Sequence, residues 1–295
     1  FTGMEFADVD GDGDLDLVVA GTETKALFLN AGDGNFTEDA SSELASTAYL
    51  TNCRRCQECQ DCQGCHSDCT IIDGTLTGLL NSAGGTMLLA DLDHDGDIDV
   101  AFLADFNFDR NPDLMSTPHM SVQLFWNQGG AQGGTQGSYV LDAGGAQAPG
   151  FVTASAGAPC SSMVAADFNG DEAIDVLLVC DRKLGTNVDS NVGNGTQTSL
   201  FLGNEDGTFT VADLSTGDPL PEIGQPLTAS VFACDIDSDG DVDLAFGSNW
   251  GSTQNFAFYT NDGNAVFTEV TGHGLAAGNV VAVRFLNGSI KPIDR

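Results

Sequence analysis

Short apolar runs alternate along this 295-residue chain with polar, glycine-rich stretches, and no run approaches the ~18 apolar residues of a membrane span. Runs such as Leu15-Asp16-Leu17-Val18-Val19-Ala20 are rich in β-branched residues, which favour strands. They come in ordered sets. A first run closes on a small residue in Met4 to Ala7, Met87 to Ala90, Met163 to Ala166 and Val231 to Cys234, and a second follows a fixed polar gap. A third is seen in Ala26 to Asn30, Gln123 to Asn127, Ser199 to Gly203 and Phe256 to Thr260. A Gly/Asn/Asp turn, as in Gly32-Asp33-Gly34-Asn35 or Asn261-Asp262-Gly263-Asn264, then leads to a fourth strand that includes Phe36, Phe209 or Phe267. Four short antiparallel strands per unit describe a propeller blade. The predicted fold is all-β: four-stranded antiparallel blades at about 3–40, 86–142, 162–212 and 230–270.

The fixed gap between first and second strands carries the chemistry. It is a nine-residue acidic pattern: Asp8-Val9-Asp10-Gly11-Asp12-Gly13-Asp14-Leu15-Asp16 in the first copy, then Asp91 to Asp99, Asp167 to Asp175 and Asp235 to Asp243. Side-chain oxygens recur at positions 1, 3, 5 and 9: Asp8, Asp10, Asp12, Asp16; Asp91, Asp93, Asp95, Asp99; Asp167, Asn169, Asp171, Asp175; Asp235, Asp237, Asp239, Asp243. Ca²⁺ takes about 6–8 oxygens at roughly 2.3–2.6 Å, so a short loop must curl and aim alternate carboxylates inward. Backbone carbonyls at position 7 (Asp14, Asp97, Ala173, Asp241) would complete much of the shell. Glycine at position 6 permits the turn in Gly13, Gly96 and Gly240, whereas the third loop has Glu172 there and Asn169 at position 3. The third site is expected to be the weakest or most distorted.

An EF-hand opens with the same acidic spacing but needs a Glu at position 12 and flanking helices. Position 12 here is Val19, Phe102, Leu178 or Phe246, inside strand-forming runs, so these are hairpin loops. The units resemble the FG-GAP/VCBS repeats of integrin-α-like β-propellers, whose pattern is Asp-x-Asp-x-Asp-Gly-x-x-Asp on the hairpin between a blade's first two strands. The first, second and fourth loops match it and the third matches more loosely. The resemblance implies a calcium-binding propeller with about four ions; it implies no activity.

Residues Asn279 to Phe285 read as the opening strand of a partial fifth blade over 279–295, with Arg284 where the other units have their first loop Asp. A blade beginning there favours part of a longer propeller over a closed ring of four.

The formal charge is −34, from 43 acidic and 9 basic residues, and the four loops hold 19 of those acids. Four Ca²⁺ would offset eight charges, so calcium is expected to act as a folding cofactor. So acidic a chain argues against nucleic acid and anionic membrane as partners. Sequons at Asn35, Asn194 and Asn287, and the calcium loops, point to an extracellular or cell-surface protein.

Six of the nine cysteines crowd between Cys53 and Cys69, within an insertion over 41–85 that has too few apolar residues to build a core. Three local disulfides are the leading expectation. Two alternatives stand beside it. Cys59, Cys62, Cys65 and Cys69 have ferredoxin-like spacing, though Thr70 replaces the usual proline. The three-residue period from Cys53 to Cys65 would line five sulfurs along one extended edge and bond to a neighbouring chain. Cys160 and Cys180 flank the third loop and are expected to pair, while Cys234, aligned with Ala7, Ala90 and Ala166, is expected to be free and buried.

No Gly-x-Ser-x-Gly, His-Glu-x-x-His or phosphate-cradling loop is present, and His66, His94, His119 and His273 are far apart in sequence. The close carboxylate pairs are explained by calcium, so the chain is expected to bind rather than catalyse. Phe106, Phe108, Trp126, Tyr139, Trp250 and Tyr259 could furnish a contact surface; strand positions favour inter-blade packing for Trp126 and Tyr259, and Trp250 is the better exposed anchor. The reading is an adhesion or structural scaffold module that binds a protein or glycan ligand on a surface or matrix, with neighbouring copies in an assembly as a further partner. The alternatives are a lectin-like propeller and a non-catalytic domain of a secreted enzyme.

Overall fold

The structure, a computed structural model, describes residues 3–20, 25–42, 44, 87–103, 122–129, 133–142, 160–181, 196–214, 217, 220, 229–248, 255–271, 283–286 and 289–292. Blade 1 holds β1 (Gly3–Ala7), β2 (Asp16–Ala20), β3 (Lys25–Asn30) and β4 (Phe36–Glu38). Blade 2 holds β5 (Met87–Ala90), β6 (Asp99–Leu103), β7 (Val122–Asn127) and β8 (Tyr139–Leu141). Blade 3 holds β9 (Cys160–Ala166), β10 (Asp175–Asp181), β11 (Thr196–Gly203) and β12 (Phe209–Val211). Blade 4 holds β13 (Ala229–Cys234), β14 (Asp243–Ser248), β15 (Asn255–Asn261) and β16 (Phe267–Glu269). Each blade is a four-stranded antiparallel meander in sequence order, and the architecture is that of a β-propeller. Among the described residues no helix is long and apolar enough to cross a membrane.

The blades stand in a row because each sheet is apolar on both faces. Successive side chains of a strand point to opposite sides. In blade 2, Met87, Val100, Phe102, Phe125 and Tyr139 join a core with Val9, Val18 and Leu27 of blade 1. Leu88, Ala101, Leu124 and Trp126 join a second core with Met163, Leu178 and Phe201 of blade 3. A third core unites Phe168, Leu177 and Leu200 of blade 3 with Val231, Phe246 and Tyr259 of blade 4. This double burial explains why the runs are continuously apolar. The first strands β1, β5, β9 and β13 neighbour one another in turn, which makes them the inner strands. Each fourth strand is only three residues long and largely exposed; a short outer edge offers little to stray pairing.

Two devices lock acidic loops into the next blade, the first at all three junctions and the second between blades 1 and 2 and between blades 3 and 4, Gly203 standing in place of the asparagine in blade 3. The apolar residue at loop position 2 is a knob: Val9, Leu92 and Phe168 are fully or almost fully buried, and the Phe168 ring meets Phe267 of blade 4 edge-on at 5.9 Å. An asparagine at the end of the third strand is a clasp. The Asn127 Nδ2 amide donates to Val9 O of blade 1 at 2.9 Å and to Ile98 O of its own blade at 3.2 Å. The Asn261 amide repeats this with Phe168 O at 2.8 Å and Val242 O at 3.1 Å.

Lys25 sits at the first of these junctions. Its ammonium lies 4.7 Å from the ring centroids of both Phe102 and Phe125 and donates to Gln123 Oε1. Desolvation lowers its pKa to about 7, and the two ring faces supply part of what water would have given.

Several expectations need correcting or placing. Trp126, Tyr139 and Tyr259 are all buried between blades, as anticipated for Trp126 and Tyr259; Tyr139, offered as a contact residue, instead donates its hydroxyl to Ile98 O at 2.7 Å. Phe106, Phe108, Trp250 and the cysteines from Cys53 to Cys69 lie outside the described residues. Cys160 and Cys180 are backbone partners across β9 and β10, where the register shifts between Val179 and Cys180. Cys234 is free but only half-buried, against the enclosed position expected of it, and burial followed by Asp243 and Asp235 raises its thiol pKa. Arg284 does not end a strand before a loop: it pairs with Lys291 in a tight hairpin of β17 (Val283–Leu286) and β18 (Ser289–Pro292).

The clasp predicts an asymmetry between blades. Asn127→Ala removes both donor bonds in a buried site and leaves Val9 O unpaired, so it should cost about 2–3 kcal/mol in chemical denaturation. Asn30→Ala, on the exposed face of blade 1, should cost about 1 kcal/mol or less. Equal losses would show that the inter-blade bond contributes nothing.

Candidate metal centres

The four acidic loops are folded by their own carboxylates before any ion is considered. The position-1 aspartate curls the loop: Asp8 Oδ1 accepts the Gly11 N–H at 2.8 Å and Oδ2 the Gly13 N–H at 3.0 Å. Asp167 does the same for Gly170 and Glu172, and Asp235 for Ser238 and Gly240. Asp91 receives Asp95 and Gly96 instead. At position 5, Asp12, Asp95, Asp171 and Asp239 each accept the N–H two residues on, all at 2.9 Å.

Position 9 has a role that the ligand pattern alone did not reveal. Asp16, Asp99, Asp175 and Asp243 are buried, and each takes one N–H on each oxygen. One comes from loop position 2 (Val9, Leu92, Phe168, Ile236) at 2.6–3.0 Å. The other comes from the end of the third strand (Asn30, Asn127, Gly203, Asn261) at 2.8–2.9 Å. One side chain thus fixes the knob residue and the third strand to the second. The signal was an invariant spacing together with a carboxylate at the first residue of a buried strand.

Three loops bring carboxylates together closely enough for one ion. Asp8, Asp10 and Asp16 form one trio, Asp91, Asp93 and Asp99 a second, and Asp235, Asp237 and Asp239 a third, with ligand atoms within 4.8 Å of one another. Oxygens on opposite sides of one Ca²⁺ stand about 5 Å apart, so each trio fits a single ion. An all-oxygen donor set suits a hard cation. Asp12, Asp95 and Asp243 stand outside the trios, and the Asp241 carboxylate, like those of Asp14 and Asp97, turns towards the glycine of the following turn. That orientation leaves a main-chain role for Asp14, Asp97 and Asp241 at position 7. Among the described residues the third loop forms no such trio; Asn169 donates its amide to Asp171 Oδ2 at 2.8 Å, and Ala173 supplies only main chain at position 7.

The turn demands left-handed backbone at two positions. Position 6 has it in Gly13, Gly96 and Gly240, and in Glu172 at φ 73°. Position 4 has it too, in Gly11 and Gly170 but also in His94 (φ 58°) and Ser238 (φ 67°). The second requirement was missed from sequence, although glycine stands there in two loops. His94 is exposed and holds the turn rather than chemistry.

Crowding of like charge in a desolvated loop pushes the carboxyls up. Burial first, and the charges of Asp93 and Asp95 after it, raise the Asp99 pKa to about 8 against its two N–H donors. Asp175 rises to about 6 for the same leading reason. Asp10, Asp97, Asp241 and Asp243 also rise, burial leading in each. A cation would pull all of these down again, which is the sense in which the loops fit one.

Residues 8–53 and 105–178 match the family model described as "FG-GAP-like repeat". No curated protein matches the chain. A solved structure of an Agrocybe aegerita lectin, described as recognising non-reducing terminal N-acetylglucosamine, is similar at 20% identity over 89% of this chain, with a TM-score of 0.46. The chain spans 49% of that protein.

Two outcomes follow. Asp243→Ala strips the acceptor from two buried N–H groups and should cost about 2–4 kcal/mol even without ions, whereas Asp12→Ala should leave the ion-free protein within about 1 kcal/mol of the parent. Comparable losses in metal-stripped protein would undo the division of roles. The pH dependence of stripped protein has a definite sign. A folded-state carboxyl pKa above the unfolded value gives stability that is complete below about pH 4 and lost as pH rises to about 8 for Asp99 and about 6 for Asp175. Lys25, shifted the other way, acts above about pH 7. Thermal melts of stripped protein should therefore fall from about pH 4.5 to 7; a rise would contradict the assignment.

Proposed function

Taking the chain as an FG-GAP-repeat protein built of propeller blades, we propose that it is an extracellular, calcium-stabilised scaffold that works by binding, as an adhesion or structural module. The observation that carries this reading is the carboxylate trio, repeated at the same hairpin in blades 1, 2 and 4. A trio of this kind accumulates negative charge that a bound cation relieves at neutral pH, and the loops of blades 1, 2 and 3 are wedged into the next blade through Val9, Leu92 and Phe168. Filling a loop therefore stiffens a junction between blades as well as a hairpin. Calcium modules of extracellular proteins work at affinities of about 10⁻⁴–10⁻³ M, the range this reading implies for the loops. The cysteine-dense insertion is consistent with the same oxidising setting.

Calcium removal tests the reading. At about 1 mM free ion and a Kd near 10⁻⁴ M each filled site contributes roughly 1.4 kcal/mol, so three or four sites should raise the melting temperature by about 10–20 °C. Chelation should lower it by that amount and added calcium should restore it. An unchanged melt, with no calcium retained on elemental analysis, would sink the proposal.

A further inference from the structure

The clasp asparagine of blade 2 joins two acidic loops, and the connection runs from one carboxylate trio to the next. Asp16 of the first trio accepts the Val9 N–H on Oδ2 at 3.0 Å. Val9 O, at the other end of the same residue, accepts from Asn127 Nδ2 at 2.9 Å. The main-chain N–H of Asn127 donates in turn to Asp99 Oδ1 of the second trio at 2.9 Å. Three buried hydrogen bonds thus separate a candidate ligand of one loop from a candidate ligand of the other. Asn127 Oδ1 also accepts the Gly137 N–H at 2.9 Å, and Gly137 lies against the first loop: a methyl group added there would stand 3.0 Å from the Asp10 Cβ.

Among the described residues no other two trios are joined in this way. In blade 3 the clasp position is Gly203, which gives its N–H to Asp175 but has no side-chain amide to offer blade 2. Asn261 repeats the path between blades 3 and 4, from Asp175 through Phe168 to Asp243. That path joins no two trios, because the third loop forms none and Asp243 stands outside the fourth. The first and second loops are therefore a connected pair, and the fourth stands alone.

We propose that the loops of blades 1 and 2 fill cooperatively, with Asn127 as the residue that couples them, and that the loop of blade 4 fills independently. The inference rests on the reading of these loops as calcium sites. An empty trio repels itself, and any shift of its ninth-position carboxylate loosens the amide which that carboxylate holds. A cation in the first loop fixes Asp16, and through it the Val9 main chain whose carbonyl receives Asn127. The Asn127 N–H then holds Asp99 where the second trio needs it. Ordering that serves both sites is lost only once, so whichever loop fills second binds more tightly, and by linkage the effect is reciprocal. Charge acts in the opposite sense, since a filled loop pulls less on its neighbour's ion. Salt screens the long-range charge term, with a Debye length of about 8 Å at about 0.15 M, and acts much less on buried hydrogen bonds.

Trp126 gives the second loop its own reporter. A methyl group added at Gly207 would stand 2.9 Å from the Asp93 Cβ and 3.4 Å from the Trp126 ring, so the indole borders the second trio and should sensitise terbium bound there. Terbium is a hard cation suited to the same oxygens, and Asp93→Ala identifies the signal by removing it. The full chain is titrated with terbium at about 0.15 M salt and again at about 0.5 M. Asp10→Ala disables the first loop and leaves the three-bond path intact; it should raise the half-saturating concentration of the second loop about five- to tenfold at both salt levels. Asp237→Ala, which disables the fourth loop, should move it less than about twofold. Asn127→Ala should weaken the second loop by itself and cancel the effect of a further Asp10→Ala. Unchanged or tighter binding in Asp10→Ala would overturn the inference, as would an equal loss in Asp237→Ala, a shift that vanishes at the higher salt, or an Asp10→Ala effect undiminished beside Asn127→Ala. If Asn127→Ala fails to fold, the contrast between Asp10→Ala and Asp237→Ala decides. A chain that binds neither terbium nor calcium would refute the calcium reading itself, whereas loops that fill without regard to one another would refute only the coupling.

Discussion

A buried carboxylate with an N–H on each oxygen sits at the start of the second strand of every blade, and the rest of the unit is arranged around it. Asp16, Asp99, Asp175 and Asp243 tie loop position 2 and the end of the third strand to a single side chain. Those are the two places from which a blade reaches its neighbour. Val9, Leu92 and Phe168 enter the next blade as knobs, and in blades 2 and 4 the third-strand end carries the asparagine that reaches back to the previous one. Charge is the cost of using an aspartate here. Asn could accept only one such bond, so the geometry calls for a carboxylate and brings an ionised group into a dry place.

That cost explains the composition of the loops. A buried anion with two hydrogen bonds still gains from a cation, and the remaining loop positions supply further oxygens within one ion's reach in blades 1, 2 and 4. The same loop that would bind the ion is held in shape by Asp8, Asp91, Asp167 and Asp235 folding the main chain over their own oxygens. Pre-formed turns of this kind lose little entropy on binding, while the unrelieved repulsion favours it. The third loop keeps the structural carboxylates and the strained Glu172 but has Asn169 where the others have an acid, so it retains the fold of a site with less of its charge.

Stability of the row then depends on faces rather than on blades. Each sheet buries both sides only where a neighbour stands, and among the described residues no blade stands against the apolar surface at Met4, Phe6, Phe36 and Phe232. Repeat architectures of this kind gain much of their stability at the junctions between units. The half-buried Lys25 shows how specific such a junction becomes, with its ammonium held 4.7 Å from the ring centroids of both Phe102 and Phe125.

The blade unit, its four strands and the acidic hairpin could be read from the chain because they rest on local rules: two-residue alternation, β-branched runs, Gly/Asn/Asp turns and a fixed spacing of oxygens. The ligand positions were legible for the same reason, since a nine-residue loop must aim its alternate side chains inward. What the chain alone did not disclose depends on contacts between distant residues. That Asp16 and its counterparts hold backbone amides, that Asn127 reaches Val9 across 118 positions, and that Tyr139 is interior are facts of blade-on-blade packing. Cys234 is half-buried, as are its counterparts Ala7, Ala90 and Ala166, so that position is partly open in every blade. A residue's side of the sheet is written in the sequence; whether anything covers that side is decided only by the neighbour.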